Sequence, residues 1–298
     1  MKCFRLAALA LWALIQGTAA TADPAPAPAL HDGQSKLLLT GGVSSIDGAA
    51  GGGLTPWAVT GSYATDGEFG GTAYATHLST QNYALSVYGV AGAVDDRVEF
   101  SLAQQALDAG VVDPGTTLRL DIVAVKVRLA GEAVLDSDRW MPQLALGAQY
   151  KHLNPGQDVG AVLDSVGARR DGVDLYLSAS KLLLGPSLLL NGTLRATRAN
   201  QDGLLGFGSS QHAAYRLEPE GSLAWLVHKS VALGVEYRAK PNNLAFAGPA
   251  FAEQAWRDAF LAWAPNKRVS LTAAWVDLGN VVGHAHERGA YLSLQLAH

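Results

Sequence analysis

Hydrophobic and polar residues alternate along most of this chain with a period of two. In the segment Val173 to Lys181, Val173, Leu175, Leu177 and Ala179 share one face while Asp174, Tyr176, Ser178 and Ser180 share the other. A strand projects successive side chains to opposite sides, so this segment reads as a strand with two different faces. Leu188, Leu190, Leu194 and Ala196 oppose Asn191, Thr193, Arg195 and Thr197 in the same way, after a link from Leu183 to Pro186 in which Gly185 and Pro186 favour a tight turn. The two segments make a hairpin. The alternation returns around Val98 to Leu102, Trp140 to Lys151, Val231 to Arg238, Arg268 to Trp275 and Ala290 to Leu296. One segment changes phase: Leu118, Leu120 and Ile122 give way to Val123, Val125, Val127 and Leu129, which predicts a β-bulge near Val123.

Strands are expected over 37–43, 55–64, 71–78, 82–91, 97–105, 117–129, 139–151, 172–182, 186–198, 214–228, 230–239, 255–264, 267–277 and 288–297. The first and third are the least regular, so about twelve strands are expected, within a range of ten to fourteen. Connections alternate in length. Gln81-Asn82, Lys229 and Pro265-Asn266 are short; Leu107 to Thr116, Asn154 to Arg170, Ala199 to Ala213 and Asn242 to Gln254 are long. The predicted fold is all-β: a single transmembrane, antiparallel, up-and-down barrel.

Alternation also occurs in soluble β-sandwiches. Three features favour the membrane. The strands run to about ten residues, enough for a tilted crossing of the hydrocarbon layer. Trp57, Tyr63, Trp140, Tyr150, Tyr237 and Trp275 lie near strand ends in register with the apolar face, as rings at a lipid–water interface do. The opposite face carries Arg97, Glu99, Arg119, Lys151, Asp174, Arg195, Glu236 and Arg238, a mixed set suited to a polar lumen. No apolar run reaches the roughly 18 residues of a transmembrane helix. Composition agrees: 49% of residues are hydrophobic and only 16% charged, against a soluble average near 25% charged. The net charge of −4 gives no reason to expect a nucleic-acid partner.

Lys2 and Arg5 followed by the apolar stretch Leu6 to Ile15 and by Ala20-Thr21-Ala22 read as a signal peptide over 1–22, cleaved before Asp23. Pro24, Pro26 and Pro28 alternate with Ala in a flexible leader over 23–36, and the barrel occupies 37–298. Cys3, the single cysteine, precedes the apolar stretch, so the mature chain has no thiol and no disulfide. An exported barrel of this kind meets the lipid of a Gram-negative outer membrane and the barrel-assembly machinery. The chain ends Gln295-Leu-Ala-His298, without the terminal aromatic on which that machinery usually acts.

The run Lys36-Leu-Leu-Leu-Thr-Gly-Gly-Val-Ser-Ser-Ile-Asp-Gly-Ala-Ala-Gly-Gly-Gly-Leu-Thr-Pro-Trp57, with Ala58 to Thr76 after it, resembles a family of proteobacterial outer-membrane proteins that carry only a domain-of-unknown-function label. Thr40-Gly-Gly-Val43 and Gly51-Gly-Gly-Leu-Thr-Pro-Trp57 are its most specific parts, and the likeness extends over the mature chain. It implies an outer-membrane barrel and no catalytic residues.

Other constellations are weaker. Gly48 to Gly53 lacks the Gly-Lys-Ser/Thr ending of a phosphate loop and reads as a flexible or close-packed segment; for the wider stretch 37–53 a first strand and an internal plug both remain open. His284-Ala-His286-Glu287 supplies metal-ligand types, yet a solvated loop is the expected role. His77-Leu-Ser79, His212 and His228 supply the types of a barrel-wall hydrolase without a Gly-x-Ser-x-Gly elbow. No cofactor, metal site or catalytic residue is expected. The primary functional expectation is a passive or weakly selective channel for small solutes; the alternatives are a closed structural or interaction barrel, or an outer-membrane hydrolase.

Overall fold

The computed structural model describes residues 31–32, 36–134 and 140–298. The signal peptide expected over 1–22, and the leader apart from His31, Asp32 and Lys36, lie outside the described residues.

Twelve antiparallel strands form the wall: β1 (Glu68–Thr80), β2 (Ala84–Val94), β3 (Val98–Asp108), β4 (Thr117–Ala130), β5 (Gln143–Asn154), β6 (Asp171–Leu183), β7 (Leu188–Thr197), β8 (Arg216–His228), β9 (Val231–Arg238), β10 (Trp256–Asn266), β11 (Val269–Asp277) and β12 (Arg288–Ala297). Each pairs with the next, and β12 pairs back onto β1 from Gly289 opposite Thr80 to Ala297 opposite Thr72. The sheet is therefore closed, which leaves no edge to satisfy in lipid. His31–Asp32 adds a short parallel pairing to the start of β1. The connections after odd-numbered strands form the long-loop end, which carries α1 (Gln157–Ser165), the one α-helix among the described residues. The connection 81–83, short as expected, belongs to this end.

Outward positions on every strand are occupied mainly by exposed apolar side chains, among them Val173, Leu175 and Leu177 of β6, Leu261 of β10 and Leu292, Leu294 and Leu296 of β12. A continuous exposed apolar belt is stable against acyl chains, not against water. The belt identifies a transmembrane barrel of the outer-membrane type. Tyr150, Tyr237 and Trp275 face outward toward the long-loop end, while Trp225 and Trp263 face outward toward the opposite end. Trp140 is exposed in the connection before β5. Inside, Tyr74, Tyr176 and Phe260 lie flat across Gly89, Gly147 and Gly234 of a neighbouring strand; a Cβ on those glycines would meet ring carbons at 2.4, 2.1 and 2.3 Å. Mid-strand glycines here are seats for rings.

The strands expected at 37–43 and 55–64 are not in the wall. Residues 36–64 fold into the lumen as a plug, and from Leu39 to Ala64 every residue is buried except the half-buried Gly42. Alternation without a lipid-facing side is the physical reason: Leu54, Thr55, Ala58 and Thr60 are all fully enclosed, whatever their parity. Trp57 and Tyr63 consequently are plug residues, not interface aromatics. The segment 71–78, counted among the irregular ones, is the heart of β1. The bulge expected near Val123 is also absent. β4 keeps its alternation through that point, and its register against β5 slips only between Arg128 and Ala130. Leu118, Leu120 and Ile122 face inward into a buried apolar cluster, whereas Val123 faces the membrane, so the environment changes and the strand does not.

Candidate functional site

The plug is built on a tight hairpin in which Val43–Ser44 pairs with Ala50–Gly51. Gly48 takes φ 89° in its turn, a left-handed value that favours glycine. The next turn presses against the wall so closely that a Cβ on Gly52 would meet a Glu236 carboxylate oxygen at 2.0 Å. This glycine-rich stretch is therefore a close-packing device, the plug reading of the two left open by the sequence.

Wall side chains bind the plug backbone. Glu236 accepts from the backbone N–H of Leu54 (2.8 Å) and Thr55 (3.3 Å) and from the Thr55 hydroxyl. Glu99 accepts from Ala50 N–H (3.0 Å) and Gly61 N–H, and pairs with Lys126 (3.1 Å), which donates to Ala50 O (2.9 Å). The Pro56 carbonyl receives Ser178, Asn191 and Thr193 from β6 and β7.

Beside the hairpin lies a buried ionic cluster. Asp47 of the plug sits 3.0 Å from Arg238, 3.2 Å from Arg195 and 3.8 Å from Lys151. Lys151 also pairs with Asp174 (3.1 Å) and with Asp202 (2.6 Å), which a long loop carries down into the lumen. Arg195 and Arg238 share Glu220, and Arg195 donates to Gln149 Oε1 at 2.7 Å. Asp47 Oδ2 meets no hydrogen-bond geometry despite these distances; its attraction to the guanidinium groups is one of charge at close range. Four carboxylates thus face three cations, all but excluded from water. Charges this deep persist only when paired.

Of the eight residues expected to line the lumen, the fold brings Lys151, Asp174, Arg195 and Arg238 together here and places Glu99 and Glu236 on the plug backbone. Arg97 and Arg119 are elsewhere. Arg97 is exposed in the turn between β2 and β3, beyond the barrel rim. Arg119 is exposed on the outer wall because Leu118 and Leu120 take the inward positions on β4. Asp47, Asp202 and Glu220 were missed. Asp47 lies in a segment read for its glycines and Asp202 in a loop; Glu220 follows Pro219 inside β8, where alternation is blurred.

Above the cluster, under the long loops, is an apolar chamber of about 240 Å³. Leu78, Leu85 and Leu118 form its strand side and Val159, Val162 and Leu163 of α1 cover it; Leu204, Leu205, Phe251 and Val281 close it from other loops, and Ile46 of the plug is its floor. Ile46 precedes Asp47, so the floor is fixed directly to the ionic cluster. At one corner Gln201 and Trp256 back onto Lys240 and Glu253, which pair at 3.6 Å. Burial pushes the Glu253 carboxyl up to about 7 and the Lys240 ammonium down to about 8, and each is partly held charged by the other.

The remaining constellations do not assemble into a site. His77 Nδ1 lies 3.2 Å from Ser86 Oγ on the outward face, with no carboxylate partner among the described residues to orient the ring. Ser79 faces outward on the same strand, while His212 lies in a long loop and His228 at the opposite end of the barrel. His284 approaches the Tyr83 hydroxyl at 3.1 Å, and Glu287 accepts from Asn82.

A sequence profile described as "Protein of unknown function (DUF3034)" matches residues 40–295. Comparison with curated protein sequences finds no match. Among solved structures, the fold is similar to a KdgM porin in complex with disordered oligogalacturonate, at 9% identity and TM-score 0.48 over 76% of this chain and 98% of that one. It is also similar to the NanC porin, at 7% identity and TM-score 0.46 over 76% and 98%. Outer membrane phospholipase A from Escherichia coli follows at 10% identity and TM-score 0.41, over 76% and 92%.

Proposed function

The chain belongs to the DUF3034 family of proteins of unknown function, and we propose that it is a closed outer-membrane barrel that captures a small apolar molecule in the chamber beneath its long loops. The observation that carries this reading is the pairing of an apolar, loop-covered chamber with a lumen filled below it. A passive channel needs a continuous wet path. Here plug backbone and paired charges occupy that path, so among the functions expected from sequence the closed barrel is favoured.

The chamber has the character of a small-molecule site: concave, lined by aliphatic and aromatic side chains, and formed by several loops on a rigid frame. A cavity of about 150 Å³ lined by such residues holds benzene. The chamber is larger, and a compact monocyclic molecule fits it.

The test is titration of cumene into the purified barrel held in amphipol, followed by ligand-observed NMR. Saturable binding is expected, with a dissociation constant on the order of 0.1 mM for a ligand of this size. Leu205→Trp and Leu278→Trp, which put an indole into the chamber, should abolish it while leaving the folded, heat-modifiable band intact. Equal binding by the parent and both filled variants would mean that cumene merely dissolves in the surrounding amphiphile.

A further inference from the structure

The chamber presents only apolar surface, and its wall is not equally thick all round. Leu78, Leu85, Leu118 and Leu163 are buried, whereas two lining residues stand half exposed: Val112 at 48% and Val162 at 47%. Val112 belongs to the 109–116 connection between β3 and β4, and Val162 to α1. These two elements meet. A Cβ on Gly156, at the N-cap of α1, would lie 3.5 Å from the Thr116 methyl.

The two ends of α1 are held unequally. Past its C-terminal end, Arg169 and Phe207 exchange both backbone hydrogen bonds, at 3.0 and 2.8 Å, and Ser210 N–H donates to Val166 O at 2.9 Å. Gly167 takes φ 72° and sits so close to the 198–215 connection that a Cβ there would meet the Ser210 nitrogen at 2.9 Å. Asp164 pairs with Arg170 at the same end, at 3.0 Å. The N-terminal end has no side-chain cap, and among the described residues no hydrogen bond joins 156–161 to a neighbouring element. Gly156 connects this end to β5 at φ 78°, with the backbone freedom of glycine. A helix of nine residues is marginal by itself, so the first turns of α1 depend on the packing of Val159 and Leu163 over the chamber. A segment with so few ties opens at a lower free energy than the wall around it.

We infer that α1 is the lid of the chamber. It pivots at its anchored C-terminal end, and the apolar ligand enters and leaves between its first two turns and the 109–116 connection, with Val112 and Val162 as the lips of the opening. An apolar molecule arriving there meets valine at the edge and aliphatic side chains beyond it. The lid sets how fast the ligand exchanges, while the buried lining sets how tightly it is held. The inference rests on the proposed chamber function.

The test is a disulfide across the opening. The contact between Thr116 and the Cβ position of Gly156 brings the pair within bridging reach, and Cys3 is the single cysteine of the sequence, so Thr116→Cys with Gly156→Cys offers one pairing to a barrel refolded from residue 23 onward. Cumene exchange is followed by ligand relaxation dispersion in the oxidised and reduced forms of this variant. Oxidation should slow exchange at least about tenfold and reduction restore it, with the dissociation constant changed by less than about twofold. Equal exchange rates in the two forms overturn the lid and leave the chamber reading standing, provided that cumene still binds saturably and Leu205→Trp still abolishes that binding. Absence of saturable binding to the parent overturns the chamber reading itself. Cysteine is strained at the left-handed Gly156, so hydrogen exchange of the parent is the second measurement if the bridge does not form. The amides of 161–163, bonded within the helix, should exchange at least about tenfold faster than those of Arg169 and Phe207 at the pivot, and cumene should slow them. Protection equal to that of Arg169 and Phe207, or unchanged by cumene at saturation, contradicts the lid.

Discussion

Replacing Arg238 by leucine is expected to destabilise the folded barrel by roughly 3–5 kcal/mol, the range found when one partner of a buried charge cluster is removed. Arg238 joins four parts of the molecule. From β9 it reaches Asp47 in the plug at 3.0 Å, Asp202 in the inserted loop and Glu220 on β8 at 3.5 Å, and it donates to Leu54 O at 3.0 Å. Without it, Asp47, Asp174, Asp202 and Glu220 face only Lys151 and Arg195, and a plug carbonyl loses its donor. Arg238→Lys should recover only part of the loss, because one ammonium cannot span the fork of a guanidinium. Equilibrium urea unfolding of the barrel in lipid vesicles measures both variants. A change below about 1 kcal/mol for Arg238→Leu would mean that water reaches the cluster and screens it.

Deleting residues 37–64 should convert the closed barrel into a pore. The wall does not depend on this segment for closure, since β12 pairs directly with β1. Several ion pairs join wall to wall and survive its removal: Lys126 with Glu99, Lys151 with Asp174, and Arg195 with Glu220. What disappears is the packed core of the lumen, including Ile46, Leu54, Trp57 and Val59. Liposomes carrying the truncated barrel should swell in an isotonic pentose solution at least roughly tenfold faster than those carrying the intact chain, the direction expected when a wet path replaces a filled one. Equal swelling rates would place the barrier in the loops or in the wall charges instead of in the plug.

Much of the wall was legible in the sequence. Long strands with one face in lipid obey a strict period of two, so β5 to β7 and β9 to β12 could be placed from alternation alone. The plug was not, because alternation records a difference between two environments and a segment enclosed on all sides has only one. In Leu39 to Ala64 the sequence pattern alone therefore suggests two strands and a glycine-rich loop. The same logic explains β4, where inward leucines under the loops and outward valines in the membrane imitate a bulge. Lysines and arginines at inward positions, such as Lys151 and Arg195, were found because charge on a barrel strand has few other places to go. Asp47 and Asp202 come from segments without periodicity, and only the closed fold brings them together. The chamber escaped for a related reason: its lining comes from strand ends, α1 and several loops far apart in the chain, and nothing local marks them as neighbours.

The central claim is that the lumen of the intact protein is sealed. Single-channel recording of the refolded full-length chain in a planar bilayer tests it most directly, with insertion verified independently by a heat-modifiable band in the same preparation. The account predicts inserted barrels and no discrete current steps. Reproducible unitary steps from the intact chain would contradict it, and would return the protein to the class of open channels.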